Sequence, residues 1–391
     1  MRRWIATGLK AGLVGAVLLG AAAVWKAEEL SRLGAVMTLF DEDRIVANFS
    51  NMDMLFETRP IPATREATPF VKGATLTMPA DWADFLVRRS VTSALVLRDG
   101  AVVHESYHLG TGVDDLRISW SVAKSYLSAL FGILLAEGEI DSLDDPVTKY
   151  APDLVGGAYD GATIRNVLQM SSGVEFDEDY LDFWSDINKM GRVLALGTSM
   201  DGFAAGLDDR IGPPGERWQY VSIDTHVLSM VLRGATGRSI PELMAEKLFE
   251  PLGVARQPYY VTDGYGTAFV LGGLNLTTRD YARMGLMFLQ DGALEGRQIV
   301  PRDWVRESTQ ASAPTRRDQT GYGYQWWIPR DATEGEFFAR GIYGQYVYVN
   351  RPAGVVIALT GADRQFRETG AFDDALEMFR RLTDIAGKEA S

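Results

Sequence analysis

The polarity pattern changes period twice along the chain, from two to about 3.6 and back to two. Val91-Thr-Ser-Ala-Leu-Val-Leu-Arg98 and Ala101-Val-Val-His-Glu-Ser-Tyr107 are apolar-alternating runs on either side of Asp99-Gly100. Such a dipeptide between two such runs is the strongest short-range hairpin signal. Residues 126–136 are apolar nearly all round, which predicts a buried helix rather than a surface one. A turn-rich stretch at 141–152 leads to an amphipathic helix at 163–170. Residues 171 to about 320 then alternate helices with Gly- and Asp-rich loops. Strand patterns return at 324–328, 336–340, 345–349 and 354–359, and 372–385 reads as a last amphipathic helix.

Strands therefore sit towards both ends and helices in the middle. A hairpin near residue 95 pairing with strands near residue 345 builds one antiparallel sheet, with the helical middle packed beside it. The expected fold class is α+β, an antiparallel sheet flanked by N- and C-terminal helices plus a mostly helical lobe, with a cleft between the lobes. Residues 27–69 hold a short helical stretch followed by a polar, proline-dotted segment at 56–69, and read as a leader wrapping a body at 70–391.

The N-terminus adds a targeting signal. Arg2, Arg3 and Lys10 precede an apolar run from Ala11 to Trp25, closed by Lys26. That is the charged-then-apolar order of an export signal, with Ala21-Ala-Ala23 offering small residues for cleavage. The run falls short of the roughly 20 residues that span a bilayer, unless Lys10 snorkels and the span begins at Trp4. Residues 1–26 are thus a signal peptide or an uncleaved anchor, and membrane association through them stays open. In either case the body is expected outside the cytoplasm.

Composition narrows the function by exclusion. A net charge of −13 argues against a nucleic-acid partner, which would require a basic face. The chain has no cysteine, so thiol catalysis, disulfides and Cys-based zinc sites are ruled out. Three histidines (His104, His108, His226) make a poor metal cage, and no cofactor or metal is expected. The Gly-x-Ser-x-Gly elbow of α/β-hydrolases is absent. His226 reads as a core histidine rather than a general base.

Candidate chemistry starts at Ser121-Val-Ala-Lys124, just before the apolar helix. Positions i and i+3 share a helical face, so Ser121 Oγ and the Lys124 amine can meet. Near a helix N-terminus, free N–H groups favour developing negative charge at Ser121. A buried lysine loses its proton near neutral pH and can serve as base for the hydroxyl. Taken alone, the tetrapeptide is equally an N-capping serine followed by an exposed lysine. The second candidate is Tyr220-Val-Ser222: a tyrosine hydroxyl beside a cationic lysine drops in pKa and can shuttle a proton. The third is Gly341-Ile-Tyr-Gly-Gln345, where a glycine lets backbone approach a ligand and the following N–H groups can join the Ser121 N–H in an oxyanion hole.

In this order the three pieces resemble the penicillin-binding and serine β-lactamase superfamily over roughly residues 70–390. Leu168-Gln-Met-Ser-Ser-Gly173, Gly272-Gly-Leu-Asn275 and Arg279-Asp-Tyr-Ala-Arg283 add to the likeness. The Ser121–Ser125 context and the Gly341–Gln345 ending are most similar to the branch holding class C-type esterases and 6-aminohexanoate-dimer hydrolases. The resemblance implies a serine hydrolase acting on a small ester or amide. It makes Ser121 the acylated nucleophile, Lys124 its base and Tyr220 the proton shuttle, with an oxyanion hole at Ser121 and Ile342. It further implies substrate contacts at Asn275 and, in the 175–186 loop, at Tyr180, Trp184 and Asp186; the residues themselves add Gly341 and Ser222 at the site and Tyr343 among the aromatics of an apolar cleft. For Trp184 and Asp186, a loop anchor and a helix cap are the plainer readings. One departure matters. Ala339 stands where β-lactamases and DD-peptidases carry Lys or His, and strand alternation points Arg340 to the other face. β-Lactam and cell-wall substrates are therefore less favoured than uncharged esters or small amides, and an acyl-binding sensor without turnover remains the non-enzymatic alternative.

Overall fold

A computed structural model of the protein describes residues 26–388. The signal or anchor expected at the N-terminus lies, but for its last residue, outside the described residues. Among the described residues no helix is long and apolar enough to cross a membrane.

The strands are β1 (Thr58–Pro60), β2 (Val91–Arg98), β3 (Ala101–Tyr107), β4 (Arg117–Ile118), β5 (Tyr259–Val261), β6 (Leu274–Leu276), β7 (Ala293–Leu294), β8 (Arg297–Gln298), β9 (Gly321–Tyr322), β10 (Trp327–Ile328), β11 (Glu336–Gly341), β12 (Gln345–Asn350) and β13 (Val355–Gly361). The main sheet is antiparallel in the order β3-β2-β13-β12-β11-β10-β9. The predicted hairpin forms with Arg98 opposite Ala101, and both turn residues take positive φ, 49° at Asp99 and 83° at Gly100. A two-residue loop requires this, because such turns match the right-handed strand twist. The hairpin pairs with β13, and β12 lies one strand further in. The strand expected at 324–328 shortens to its last two residues.

Both faces of the sheet are covered, which is why β2 is buried from Val91 to Leu97. Alternate residues divide between two cores. Val96, Phe338, Tyr346, Tyr348 and Ile357 face the Trp82–Arg88 and Ala371–Lys388 helices. Leu97, Ala339, Val347, Val349 and Val356 face the large core shared with the helical lobe. On that side Gly285 of the Thr278–Leu289 helix sits so close that an added Cβ would lie 2.4 Å from Val356 Cγ1. The Ala123–Ala136 helix runs through this core, buried from Ala123 to Leu134 as its all-round apolar pattern requires.

Residues 27–69 lie against the helical side. They form the Ala27–Thr38 and Ile45–Ser50 helices and then β1, which pairs with β5 in a second sheet of order β1-β5-β6-β4. The fully buried Arg117 of β4, three residues before the Ser121 turn, donates to Val46 O at 2.6 Å and Ser50 Oγ at 2.8 Å. The leader is thereby tied to the strand that delivers the site.

Candidate active site

Ser121 sits in a single 3-10 turn, Trp120–Val122, that runs straight into the Ala123–Ala136 helix. Trp120 before it has φ 43°, a left-handed conformation that costs a bulky residue about 1–3 kcal/mol. Ser119 N→Leu274 O at 2.8 Å anchors the turn to the second sheet. The i, i+3 geometry holds: Lys124 Nζ lies 3.1 Å from Ser121 Oγ and donates to Leu271 O at 2.8 Å. Lys124 is buried, and loss of hydration lowers its pKa from 10.5 to about 7, against the pull of Glu178 and Asp224. Asp224 is itself raised to about 8 by burial, although it accepts a hydrogen bond from Tyr159 Oη at 2.7 Å.

Tyr220 completes the group. The Lys124 ammonium lies 5.4 Å from the Tyr220 ring centroid, and the ring stacks on Trp327 at 5.3 Å. The expected lowering of the tyrosine does not occur. Burial pushes the hydroxyl well above its ordinary value and Glu178 adds to the rise, opposed only weakly by Ser121, Arg340 and Ser222. At neutral pH the lysine, not a phenolate, is the group able to accept a proton.

The end of β11 closes on the Ser121 turn. A Cβ on Gly341 would lie 2.6 Å from Ser119 O and 3.1 Å from Ser121 N, so only glycine fits. Ile342, Tyr343 (φ 60°) and Gly344 (φ 86°) then turn into β12. The buried Gln345 side chain pins this turn, donating to Ile342 O at 3.2 Å, Tyr343 O at 3.1 Å and Gly361 O at 2.9 Å. The Gly-x-x-Gly-Gln pattern is thus a close approach, a positive-φ turn and its internal brace.

Two compartments meet at Ser121. One is a partly enclosed apolar chamber of about 110 Å³, lined by Leu39, Phe40, Phe56, Phe269, Leu271 and Tyr343 among others. The other is an open polar cleft of about 370 Å³ holding Glu178, Tyr220, Arg340, Gly341, Arg367 and Glu368. Ser121, Tyr180 and Ile342 line both. Ser222 opens the Ser222–Thr236 helix, lines the chamber, and donates its N–H to Glu178 Oε1. Tyr180 Oη donates to Glu178 Oε2 at 2.9 Å, and burial raises the Glu178 carboxyl above its usual range.

Three candidate substrate contacts line neither compartment, and the reading of Arg340 is revised. Trp184 is 71% exposed, packs on Phe183 and Arg192, and lines neither compartment. Asp186 opens the Asp186–Ala195 helix, where it accepts from Asp177 N at 2.9 Å and pairs with Lys189. Asn275 is fully buried in β6 between β5 and β4, its amide donating to Gly273 O at 2.9 Å, and it lines neither compartment. Arg340 obeys the strand alternation, yet its long side chain reaches over Phe372 (4.5 Å) into the polar cleft, so a cation is present there after all. The sequence did not single out Glu178, Arg367 or the leader residues Leu39, Phe40, Met52 and Phe56. His226 pairs with Asp201 Oδ1 at 2.7 Å inside the helical lobe, as a core histidine.

A buried lysine on a serine at the mouth of a helix, between a helical lobe and an antiparallel sheet, defines a hydrolase of the penicillin-binding and serine β-lactamase class. The beta-lactamase family model matches residues 83–377, and the chain belongs to that family. It is 32% identical over 322 residues to the 6-aminohexanoate-dimer hydrolase of Paenarthrobacter ureafaciens, covering 78% of this chain and 81% of the relative. Among solved structures, a putative 6-aminohexanoate-dimer hydrolase from Bacillus anthracis superposes with a TM-score of 0.80 at 21% identity, over 90% of this chain and 96% of that one. The octameric penicillin-binding protein homologue from Pyrococcus abyssi gives a TM-score of 0.58 at 19% identity, over 76% of each chain.

Proposed function

We propose that the protein hydrolyses small linear amides or carboxylic esters through an acyl-enzyme on Ser121, in keeping with its likeness to 6-aminohexanoate-dimer hydrolase. The observation that carries this reading is the 3.1 Å approach of Lys124 Nζ to Ser121 Oγ, with the lysine brought to about 7 by burial. The neutral amine takes the Ser121 proton as Oγ bonds to the substrate carbonyl carbon. The tetrahedral oxyanion rests on the backbone N–H groups of Ser121 and Ile342. Tyr220, still protonated, hands its proton to the departing nitrogen or oxygen and is resupplied by the Lys124 ammonium. Water then attacks the Ser121 ester, its proton returns through the same pair, and the acid leaves. The test is steady-state hydrolysis of p-nitrophenyl butyrate and of the corresponding amide, butyryl p-nitroanilide, beside the Ser121→Ala variant. Sustained turnover lost in the variant supports the reading, and a single burst without turnover moves it to an acyl-binding sensor.

One observation favours a second reading. Arg340 in the polar cleft offers a partner to a carboxylate on the leaving side, as a β-lactam or a peptide would carry. Nitrocefin hydrolysis that falls in Arg340→Ala would support it. For residues 1–26, the charged and then apolar order supports delivery of the body outside the cytoplasm. Fractionation of cells expressing the full chain tests this.

A further inference from the structure

We propose that the apolar chamber beside Ser121 is the acyl pocket of the enzyme and selects uncharged aliphatic acyl chains of about five or six carbons. The proposal rests on the acyl-enzyme reading and adds a substrate class to it. Tyr220 decides which compartment takes which half of the substrate. It lines the polar cleft and not the chamber, and a proton donor must reach the leaving atom. The leaving group therefore departs through the polar cleft, past Tyr220, Arg340 and Arg367. With the carbonyl at the junction formed by Ser121 and Ile342, the acyl chain is left the chamber.

The chamber's chemistry sets what that chain is. No Asp, Glu, Lys or Arg lines it among the described residues. An ammonium or carboxylate carried inside would lose its hydration and meet only neutral polar groups, such as those of Asn188, Ser222 and Tyr180, with no opposite charge to replace it. The volume of about 110 Å³ is smaller than an apolar void of ~150 Å³ that accepts benzene, which sets the fit at roughly four carbons beyond the carbonyl. One wall consists of Val36, Leu39, Phe40, Met52 and Phe56. These residues all precede the family match, which begins at residue 83, so this wall is a feature of the leader and not of the matched region. Opposite Val36 stands Gly191, where an added Cβ meets nothing closer than Val36 Cγ1 at 4.0 Å. That is open space at a helical position any side chain can adopt.

The experiment is kcat/KM for p-nitrophenyl acetate, butyrate, hexanoate and decanoate, and for the 6-aminohexanoyl ester, with wild type, Ser121→Ala and Gly191→Leu. Wild type should gain about fourfold per added methylene up to hexanoate and gain nothing further by decanoate. The 6-aminohexanoyl ester should run at least ~10²-fold below the hexanoyl ester. Gly191→Leu should lower the hexanoate-to-acetate ratio about tenfold by filling the chamber. Ser121-dependent turnover with a flat profile from acetate to hexanoate, or with equal rates for the charged and uncharged six-carbon esters, overturns the chamber assignment and leaves the serine mechanism standing. Ester turnover that persists in Ser121→Ala, or none at all, overturns both.

Discussion

Replacing Lys124 by methionine should abolish activity and stabilise the fold. Burial moves the lysine from 10.5 to about 7. At about 1.4 kcal/mol per pH unit, that displacement withholds about 5 kcal/mol of stability wherever the folded protein must carry the charge. Below pH 7 both folded and unfolded chains hold the proton and the whole cost is present. Between pH 7 and 10.5 the unfolded chain holds it and the folded chain does not, so stability rises with pH and the cost disappears. Methionine fills a similar volume without charge. Its direct losses are the contact with Ser121 Oγ and the donor to Leu271 O, where an unsatisfied buried carbonyl costs about 1–3 kcal/mol. Of the two carboxyls that felt the ammonium, Asp224 is not left as a buried charge at pH 6, because burial has already raised it to about 8, and Glu178 keeps the donors Ser222 N and Tyr180 Oη. The net expectation at pH 6 is a gain of about 2–4 kcal/mol, shrinking towards pH 10. Urea denaturation of wild type and Lys124→Met at pH 6 and pH 9 measures it, and kcat/KM should fall ~10²-fold or more. A variant less stable than wild type at pH 6, or equally active, would refute the claim that this lysine is held neutral at a cost to the fold.

The remaining predictions concern the groups around that pair. Glu178→Gln removes a negative charge that supports the Lys124 proton, so the acidic limb of the kcat/KM profile should move to lower pH; a limb that stays put or moves up contradicts the coupling. Gly341→Ala drives a Cβ to 2.6 Å from Ser119 O and should cost ~10²-fold in kcat/KM through displacement of the oxyanion turn, as well as about 1–3 kcal/mol of stability. Gly34→Ala is its control: it sits in the Ala27–Thr38 helix with nothing within 4 Å and should raise stability by about 0.5–1 kcal/mol, read by thermal unfolding.

How much was legible beforehand depended on whether a signal was local. Ser121 and Lys124 are three residues apart on one helix, so elementary helix geometry was enough to bring them together. Gly341 and the Asp99-Gly100 turn were readable because their backbone needs are written in the residue type. Glu178 was not, since a carboxylate in a loop rich in acids is distinguished only by burial against Tyr180 and Ser222, which tertiary packing supplies. Asp186 belongs to the same loop but opens its own helix, next to the Ser185 N-cap, and pairs with Lys189. The chamber wall was invisible for a different reason. Val36, Leu39, Phe40, Met52 and Phe56 come from separate short pieces that only the tertiary fold brings to one wall, in a segment that reads as a leader wrapping the body. For Arg340 the period-two rule gave the correct face. At a strand end, however, a side chain of that length can leave its face and enter the cleft.

The most direct test of the account is where the acyl group goes. Wild type and Ser121→Ala would be quenched within milliseconds of mixing with p-nitrophenyl butyrate, and the intact mass and peptide map measured. The account predicts one butyryl increment on wild type, confined to the peptide containing Ser121 and lost as turnover completes, and none on the variant. Turnover without an adduct, or an increment on any other residue, would contradict a covalent mechanism at Ser121.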